Sequence, residues 1–188
     1  MTRAILFLLF AAARAAVAAP VAYTIDGSHT TPMFEVRHMN MSLQRGFFTE
    51  AMGAIKLDRE AKAGSIDVTI STGSVVTSTR VLTDVLKRPD WLDAEQFPAM
   101  RYVSTDVAFD GDAPVAANGT LTLRGVSKPV RLAIADFRCG THIIYRRSMC
   151  SAEASATIKR SEFGLTAGLP NVAADEVRIV IPVEAMAE

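Results

Sequence analysis

The sequence is poor in the residues that most often carry chemistry. Of its 188 residues, three are histidine, two are cysteine and one is tryptophan. The histidines, His29, His38 and His142, are well separated, and no pair has the tight ligand spacing of a metal site. No glycine-rich phosphate loop and no haem-attachment motif occurs. An excess of one charge is lacking too, since 20 basic residues balance 20 acidic ones. A neutral chain has no strong field with which to recruit nucleic acid. The pairs Lys87-Arg88 and Arg146-Arg147 are too short to change that and read as solvated surface. Long apolar runs are missing as well. The run Ala4 to Ala13 falls short of the ~20 residues that span a bilayer, so stable membrane insertion is not expected.

That short run has another reading. In "MTRAILFLLFAAARAAVAA" it follows the positive Arg3 and precedes the small residues Ala16-Val17-Ala18. This is the layout of a secretory signal peptide over residues 1–18. The remainder, 19–188, shows no repeat, linker or low-complexity tract and reads as one domain in a periplasmic or secreted protein. In that setting the pair Cys139 and Cys150 reads as a structural disulfide. Such a bridge stabilises by roughly 3 kcal/mol in the chain-entropy model. A reactive or metal-binding pair is the rival reading, but redox motifs usually leave only two residues between the cysteines.

What the sequence has in quantity is apolar alternation. Apolar residues make up 49% of the chain. Phe34, Val36 and His38 alternate with Glu35 and Arg37. Ile66, Val68 and Ile70 alternate with Asp67 and Thr69, and Met100 and Tyr102 flank Arg101. Leu121 and Leu123 share a side, as do Val130, Leu132 and Ile134 beyond a hinge at Gly125. Ala154, Ala156 and Ile158 follow, then Val177, Ile179, Ile181 and Val183. Phe48 and Met52 lie in a run interrupted by Gly53, which suggests a bulge or bend. About eight strands with one apolar face each predict an all-β fold, an eight-stranded antiparallel barrel. One helical connection interrupts them. Val81, Leu82, Val85 and Leu86 have helical spacing, Thr77 or Ser78 caps the start and Pro89 ends it. A further helical turn is expected from Asp90, and Trp91, Leu92 and Phe97 give the connection an apolar surface, as a plug or a lid.

Catalytic groupings are weak. Asp26, Ser28 and His29 have the residue types of a hydrolase triad, but neighbours in an extended segment point to opposite faces. A strand-to-helix nucleophile elbow is missing. A metal set of His29, Glu35 and His38 fails because Glu35 faces away from His38. No catalytic residue and no metal ligand is therefore assigned. A barrel of ~8 strands is filled by its own side chains or holds one small ligand, and periodicity does not choose between these.

Several segments resemble the YceI-like family, secreted bacterial barrels that bind polyisoprenoids or other long-chain amphiphiles. "YTIDGSHTTPMFEVRHM" resembles that family's start through Asp26, His29, Phe34, Val36 and His38. Gly46 to Phe48 resembles its Gly-x-Phe. "LTLRGVSKPVRL", "IKRSEFGL" and "DEVRIVIPVEA" carry the most specific similarity, and the resemblance runs from Tyr23 to Ala185. Cys139, His142 and Cys150 resemble a subgroup with two cysteines before the Arg-Ser-acidic-Phe-Gly motif. One departure is "STRVLTDVLKRPDW", apolar where many members are charged.

The resemblance implies a lipocalin-like barrel with an apolar tunnel and admits assembly as a homodimer. Its occupant would be a polyisoprenoid, isoprenoid quinone or fatty amide, bound without catalysis and with no other cofactor. The tunnel would be lined by Phe34, Val36, His38, Phe48, Ile66, Val68, Ile70, Met100, Tyr102, Leu121, Leu123, Leu132 and Ile179. His38 is a candidate donor to a head group, and Arg45 and Arg160 are candidate partners for an anionic one. Two alternatives remain: a secreted hydrolase or isomerase using Asp26, Ser28 or the histidines, and a filled barrel with a structural or partner-binding role.

Overall fold

The computed structural model describes residues 19–188. The expected signal peptide, 1–18, lies outside the described residues. Eleven strands and one helix follow in chain order: β1 (Val21–Ile25), β2 (Met33–His38), β3 (Ser42–Phe48), β4 (Ala51–Asp58), β5 (Ala63–Ser71), β6 (Val75–Thr77), α1 (Arg80–Leu86), β7 (Ala99–Asp110), β8 (Ala113–Leu123), β9 (Val126–Thr141), β10 (Ser148–Lys159) and β11 (Ala173–Ala187).

Eight of these strands form a closed antiparallel ring in the order β1-β4-β5-β7-β8-β9-β10-β11, sealed by β1 against β11. Closure removes the exposed edges that an open sheet would present. β11 is long enough to serve two neighbours. Its last residues pair with β1, as in Ala185 opposite Ile25, and its earlier ones with β2, as in Ile179 opposite Phe34. β2, β3 and β6 thereby extend the wall beyond the ring. The expected eight-stranded barrel is present as the ring. β2 is the strand expected from Phe34, Val36 and His38, now placed beyond the ring; β1, β3 and β6 exceed what the alternation suggested, because β1 and β6 are short and β3 runs almost directly into β4.

Local chemistry explains the joints. Arg124 and Gly125 both have positive φ, 50° and 74°, the two-residue turn whose twist suits a hairpin. That turn places Leu123 opposite Val126, as the hinge at Gly125 predicts. Gly53 is not a bulge: the β4–β5 register runs unbroken through it. A Cβ there would sit 2.2 Å from the Asp67 carbonyl oxygen, so close backbone approach explains the glycine. The helix cap is Thr79, not Thr77 or Ser78: its hydroxyl accepts from the Leu82 amide at 3.2 Å. Thr77 instead ends β6 and docks on the helix through Thr83, whose Oγ1 accepts from the Thr77 amide at 3.0 Å. The chain from Asp90 makes turns and no second helix. Among the described residues, no helix is long and apolar enough to cross a membrane.

Cys139 and Cys150 are joined in a disulfide. A β-bulge precedes it, where β10 advances from Ser151 to Glu153 while β9 goes from Arg138 back to Ala135. Asp136, at φ 52°, is in the bulge. The extra residue shifts the alternation of β9, so that Phe137 and Cys139 take over the inner face from Leu132 and Ile134.

Candidate functional site: an apolar tunnel in two joined compartments

The inner faces of the ring do not fill the barrel. One cavity of about 150 Å³ runs among Tyr23, Ile55, Val68, Tyr102, Leu121, Leu132, Phe137 and Ile181, towards the end of the barrel where β11 finishes. A second, of about 130 Å³, lies towards the helical connection, among Phe34, Val36, Phe48, Leu86, Trp91, Leu92 and Val177. Ile70, Met100, Leu123, Ile158 and Ile179 line both. These five side chains form a waist between the two compartments and face both.

The wall is almost wholly apolar, and two of its few polar groups, Tyr102 and Thr30, are already engaged. The Tyr102 hydroxyl donates to the carbonyls of Ala117 at 2.9 Å and Val130 at 3.0 Å. Burial pushes its pKa up to about 12, so it stays neutral and presents its ring to the cavity. Thr30, 1% exposed, donates to the Glu184 carbonyl and accepts from the Glu184 amide. An apolar chain entering the tunnel would leave none of these groups unpaired.

Arg160 is the exception in kind. It lines the second compartment and is 4% exposed. Its Nε donates to Ala174, Nη1 to Leu165 and Nη2 to Ala173, at 2.7 to 2.9 Å, all to backbone carbonyls. Its guanidinium lies 5.3 Å from the centre of the Trp91 ring. Burial lowers its pKa, opposed by the charge of Asp175. Asp175 accepts from the amide and the hydroxyl of Ser161, both at 2.8 Å. Together they tie the 3₁₀ turn Arg160–Phe163 to the start of β11. This accounts physically for the Arg-Ser-acidic-Phe-Gly segment.

Of the thirteen residues expected to line a tunnel, twelve line one or both cavities. Ile66, Val68, Tyr102, Leu121 and Leu132 face the first compartment, Phe34, Val36 and Phe48 the second, and Ile70, Met100, Leu123 and Ile179 the waist. His38 lines neither compartment. It ends β2 opposite Ser42 and Ala173, and of these only Ala173 lines the second compartment. Arg45 is also elsewhere, on the outer surface, where Glu35 holds it at 2.6 Å and also pairs with Arg178 at 3.0 Å. Sequence reasoning missed Ile25, Ile55, Leu57, Phe137 and Val183. The first three carry the same alternating signal on β1 and β4, and Phe137 is hidden from it by the Asp136 bulge. The connection around α1 covers the second compartment with Leu86, Trp91 and Leu92, while Val81 is 74% exposed.

The segment after β1 is a turn rather than an extended strand, so Ser28 and His29 converge on Asp26 instead of pointing apart. Ser28 Oγ is 2.5 Å from Asp26 Oδ1, and His29 Nδ1 is 2.9 Å from Asp26 Oδ2 and 3.0 Å from Ser28 Oγ. A triad needs serine and carboxylate on opposite ring nitrogens; here both meet Nδ1. Hydrogen bonds from Ser28 and then His29 pull the Asp26 pKa down to about 2. The Asp26 hydrogen bond raises that of His29. Glu184 joins Asp26 and His29 in a group whose ligand atoms lie within 4.8 Å of one another. Glu35 and His38, paired with His29 as possible ligands from the sequence, are not in it. The Asp26 oxygens in this group are already taken by Ser28 and His29, which describes a turn lock.

A closed, twisted antiparallel ring around an apolar tunnel is the architecture of a lipocalin-like barrel. The YceI-like domain model matches residues 23–185, and the chain belongs to that family. It is 32% identical over 170 residues to the protein YceI of Salmonella newport, covering 90% of this chain and 87% of that one. It is 31% identical over 177 residues to the UPF0312 protein of Pectobacterium carotovorum, covering 94% and 91%. Among solved structures, BcnA of Burkholderia cenocepacia superposes with a TM-score of 0.70 at 25% identity, covering 85% of this chain and 98% of that one. A domain from Saccharophagus degradans, described as polyisoprenoid binding and implicated in plant cell wall breakdown, gives 0.65 at 19% identity, covering 89% and 99%. At that identity the likeness is one of fold.

Proposed function

We propose that the protein is a carrier of one long apolar molecule outside the cytoplasm, held in the two compartments with its chain threaded through the waist. One observation carries the reading: the five side chains that line both cavities are all apolar, which supports an elongated space with no polar group at its middle for a hydrocarbon to strand. Each compartment is smaller than the roughly 300 Å³ of an ordinary small-molecule pocket. A slender chain suits it better than a fused ring system. Each buried CH₂ contributes about 0.8 kcal/mol, so a few isoprene units or an acyl chain offset the costs of association. The ligand class named for the Saccharophagus domain, a polyisoprenoid, is the first candidate. The leader-like residues 1–18 support export, and the mature chain would start at Ala19. The mechanism is binding; Asp26, Ser28 and His29 serve the fold.

The waist supplies the test. Ile179 is only half-buried, so Ile179→Trp has room to place its indole between the compartments. A series of fluorescent fatty acids of increasing length would be titrated into both proteins, with thermal melting to show that the variant is folded. Wild-type affinity should rise with chain length, and the variant's should level off early. Parallel length dependence in both would mean that no chain crosses the waist.

A further inference from the structure

The β9–β10 hairpin ends in a tip with an unusual surface. Ile143, Ile144 and Tyr145 are 83%, 74% and 61% exposed. Three adjacent large apolar side chains in water are costly unless the patch has a use. The tip is also held in shape. His142 Nδ1 accepts from the amides of Ile144 and Tyr145, each at 3.2 Å, and its ring lies 4.7 Å from that of Tyr145. The His142 amide donates to the Arg147 carbonyl, and the Arg146 amide to the His142 carbonyl. The Cys139–Cys150 disulfide clamps the strands just behind. A side chain that merely lacked a place in the core would not need such fixing.

Charge points to what covers it. Arg138, Arg146 and Arg147 flank the tip, and no acidic residue occurs from Phe137 to Ala152. At the same end of the barrel Asp112 is taken by Lys62 at 2.7 Å, with Arg59 at 4.0 Å. Apolar side chains at the apex, an aromatic beside them and arginines behind are the arrangement that seats on a lipid surface. The apex enters the acyl boundary, the ring lies at head-group level and the cations meet anionic phosphates. At the base of the hairpin, Phe137, Cys150, Ser151 and Ala152 line the first compartment.

From these features we infer that the β9–β10 hairpin is a docking finger for an anionic phospholipid surface, and that it holds the adjoining end of the tunnel against the bilayer. Docking is peripheral and reversible, since one hairpin tip cannot span. It stands whether or not the tunnel carries a lipid, so its test needs no ligand.

The experiment is co-sedimentation of the disulfide-bonded protein with large unilamellar vesicles. One set is phosphatidylcholine alone; the other contains phosphatidylglycerol as well. The wild type should partition onto the anionic vesicles at low salt, hardly onto the neutral ones, and less as salt shortens the screening length. Arg138→Gln with Arg146→Gln removes two cations without touching the Arg147 bond to the Ala187 carbonyl. Partitioning should fall roughly 30-fold, at about a fivefold loss per charge near such a surface. Ile143→Asn with Ile144→Asn should lower it about tenfold or more. Val81→Ser, an equally exposed apolar residue on α1, should leave it unchanged. Matching melting curves would confirm that the variants fold. A wild type that stays in solution with anionic vesicles overturns the inference, as do finger variants that partition like the wild type. Sedimentation velocity without lipid completes the test: a dimer that the Ile143→Asn, Ile144→Asn protein cannot form would assign the patch to a second copy and equally overturn it.

Discussion

Cys139 stands directly across the β9–β10 ladder from Cys150, and it does so because a bulge at Asp136 inserts one residue into β9. Without it, Cys139 would fall on the outer face while Cys150 stayed on the inner one. Two predictions follow for the bridge. Alkylation of oxidised protein should add no mass, and after reduction it should label both cysteines. Cys139→Ala with Cys150→Ala should lower stability by about 2–3 kcal/mol in urea unfolding. Free thiols in natively exported protein would contradict the structural role.

Arg160 is predicted to hold the fold more than any ligand. Arg160→Met keeps the apolar stem against Trp91 but leaves the carbonyls of Leu165, Ala173 and Ala174 without their donor. The loss should be on the order of 3 kcal/mol in chemical denaturation. Arg160→Lys should recover little, since one ammonium cannot reach three carbonyls from a planar fork's positions. A loss below about 0.5 kcal/mol, the range of an ordinary surface change, would mean that the three bonds are not formed in solution.

These two sites show how much of the protein was legible in its sequence. The ring was legible because one-sided burial imposes period two on Ile66, Val68 and Ile70, on Leu121 and Leu123, and on Ile179 and Ile181. The same period marked most of the tunnel wall. It failed where geometry departs from it. The Asp136 bulge hid Phe137, and β6 is too short for a pattern to show. Arg160 could be flagged only as a cation, since nothing local says that its three partners come from the turn after it and from β11. The turn after β1 departs from the expected extended segment, and a hydrogen-bonded Asp26-Ser28-His29 lock has no periodic signature. His38 obeys the alternation of β2 but ends the strand and lines neither compartment, although its partner Ala173 does.

The lock makes a pH prediction. Asp26 has its pKa lowered from 3.8 to about 2, so its contribution is complete above 3.8 and is lost as pH falls towards 2. His29 is raised above 6.5, so its contribution is complete below 6.5 and is lost as pH rises through the raised value. The pair therefore supports the fold best in mildly acidic solution. The His29 ring signals in an NMR titration should move with a midpoint above 6.5, and Asp26→Asn should bring that midpoint down. An unchanged midpoint in the variant would show that the Asp26 contact does not persist.

A carrier requires an occupied or occupiable tunnel, and mass spectrometry under non-denaturing conditions tests this most directly. Protein exported by its native host and sprayed from volatile buffer should carry one long-chain apolar molecule per barrel, released on collisional activation. Protein stripped by solvent extraction and refolded should regain one equivalent from a polyisoprenoid alcohol or a long-chain fatty amide. A bare polypeptide mass from the native source, together with no uptake by the stripped protein, would contradict the carrier reading and make the tunnel a structural void.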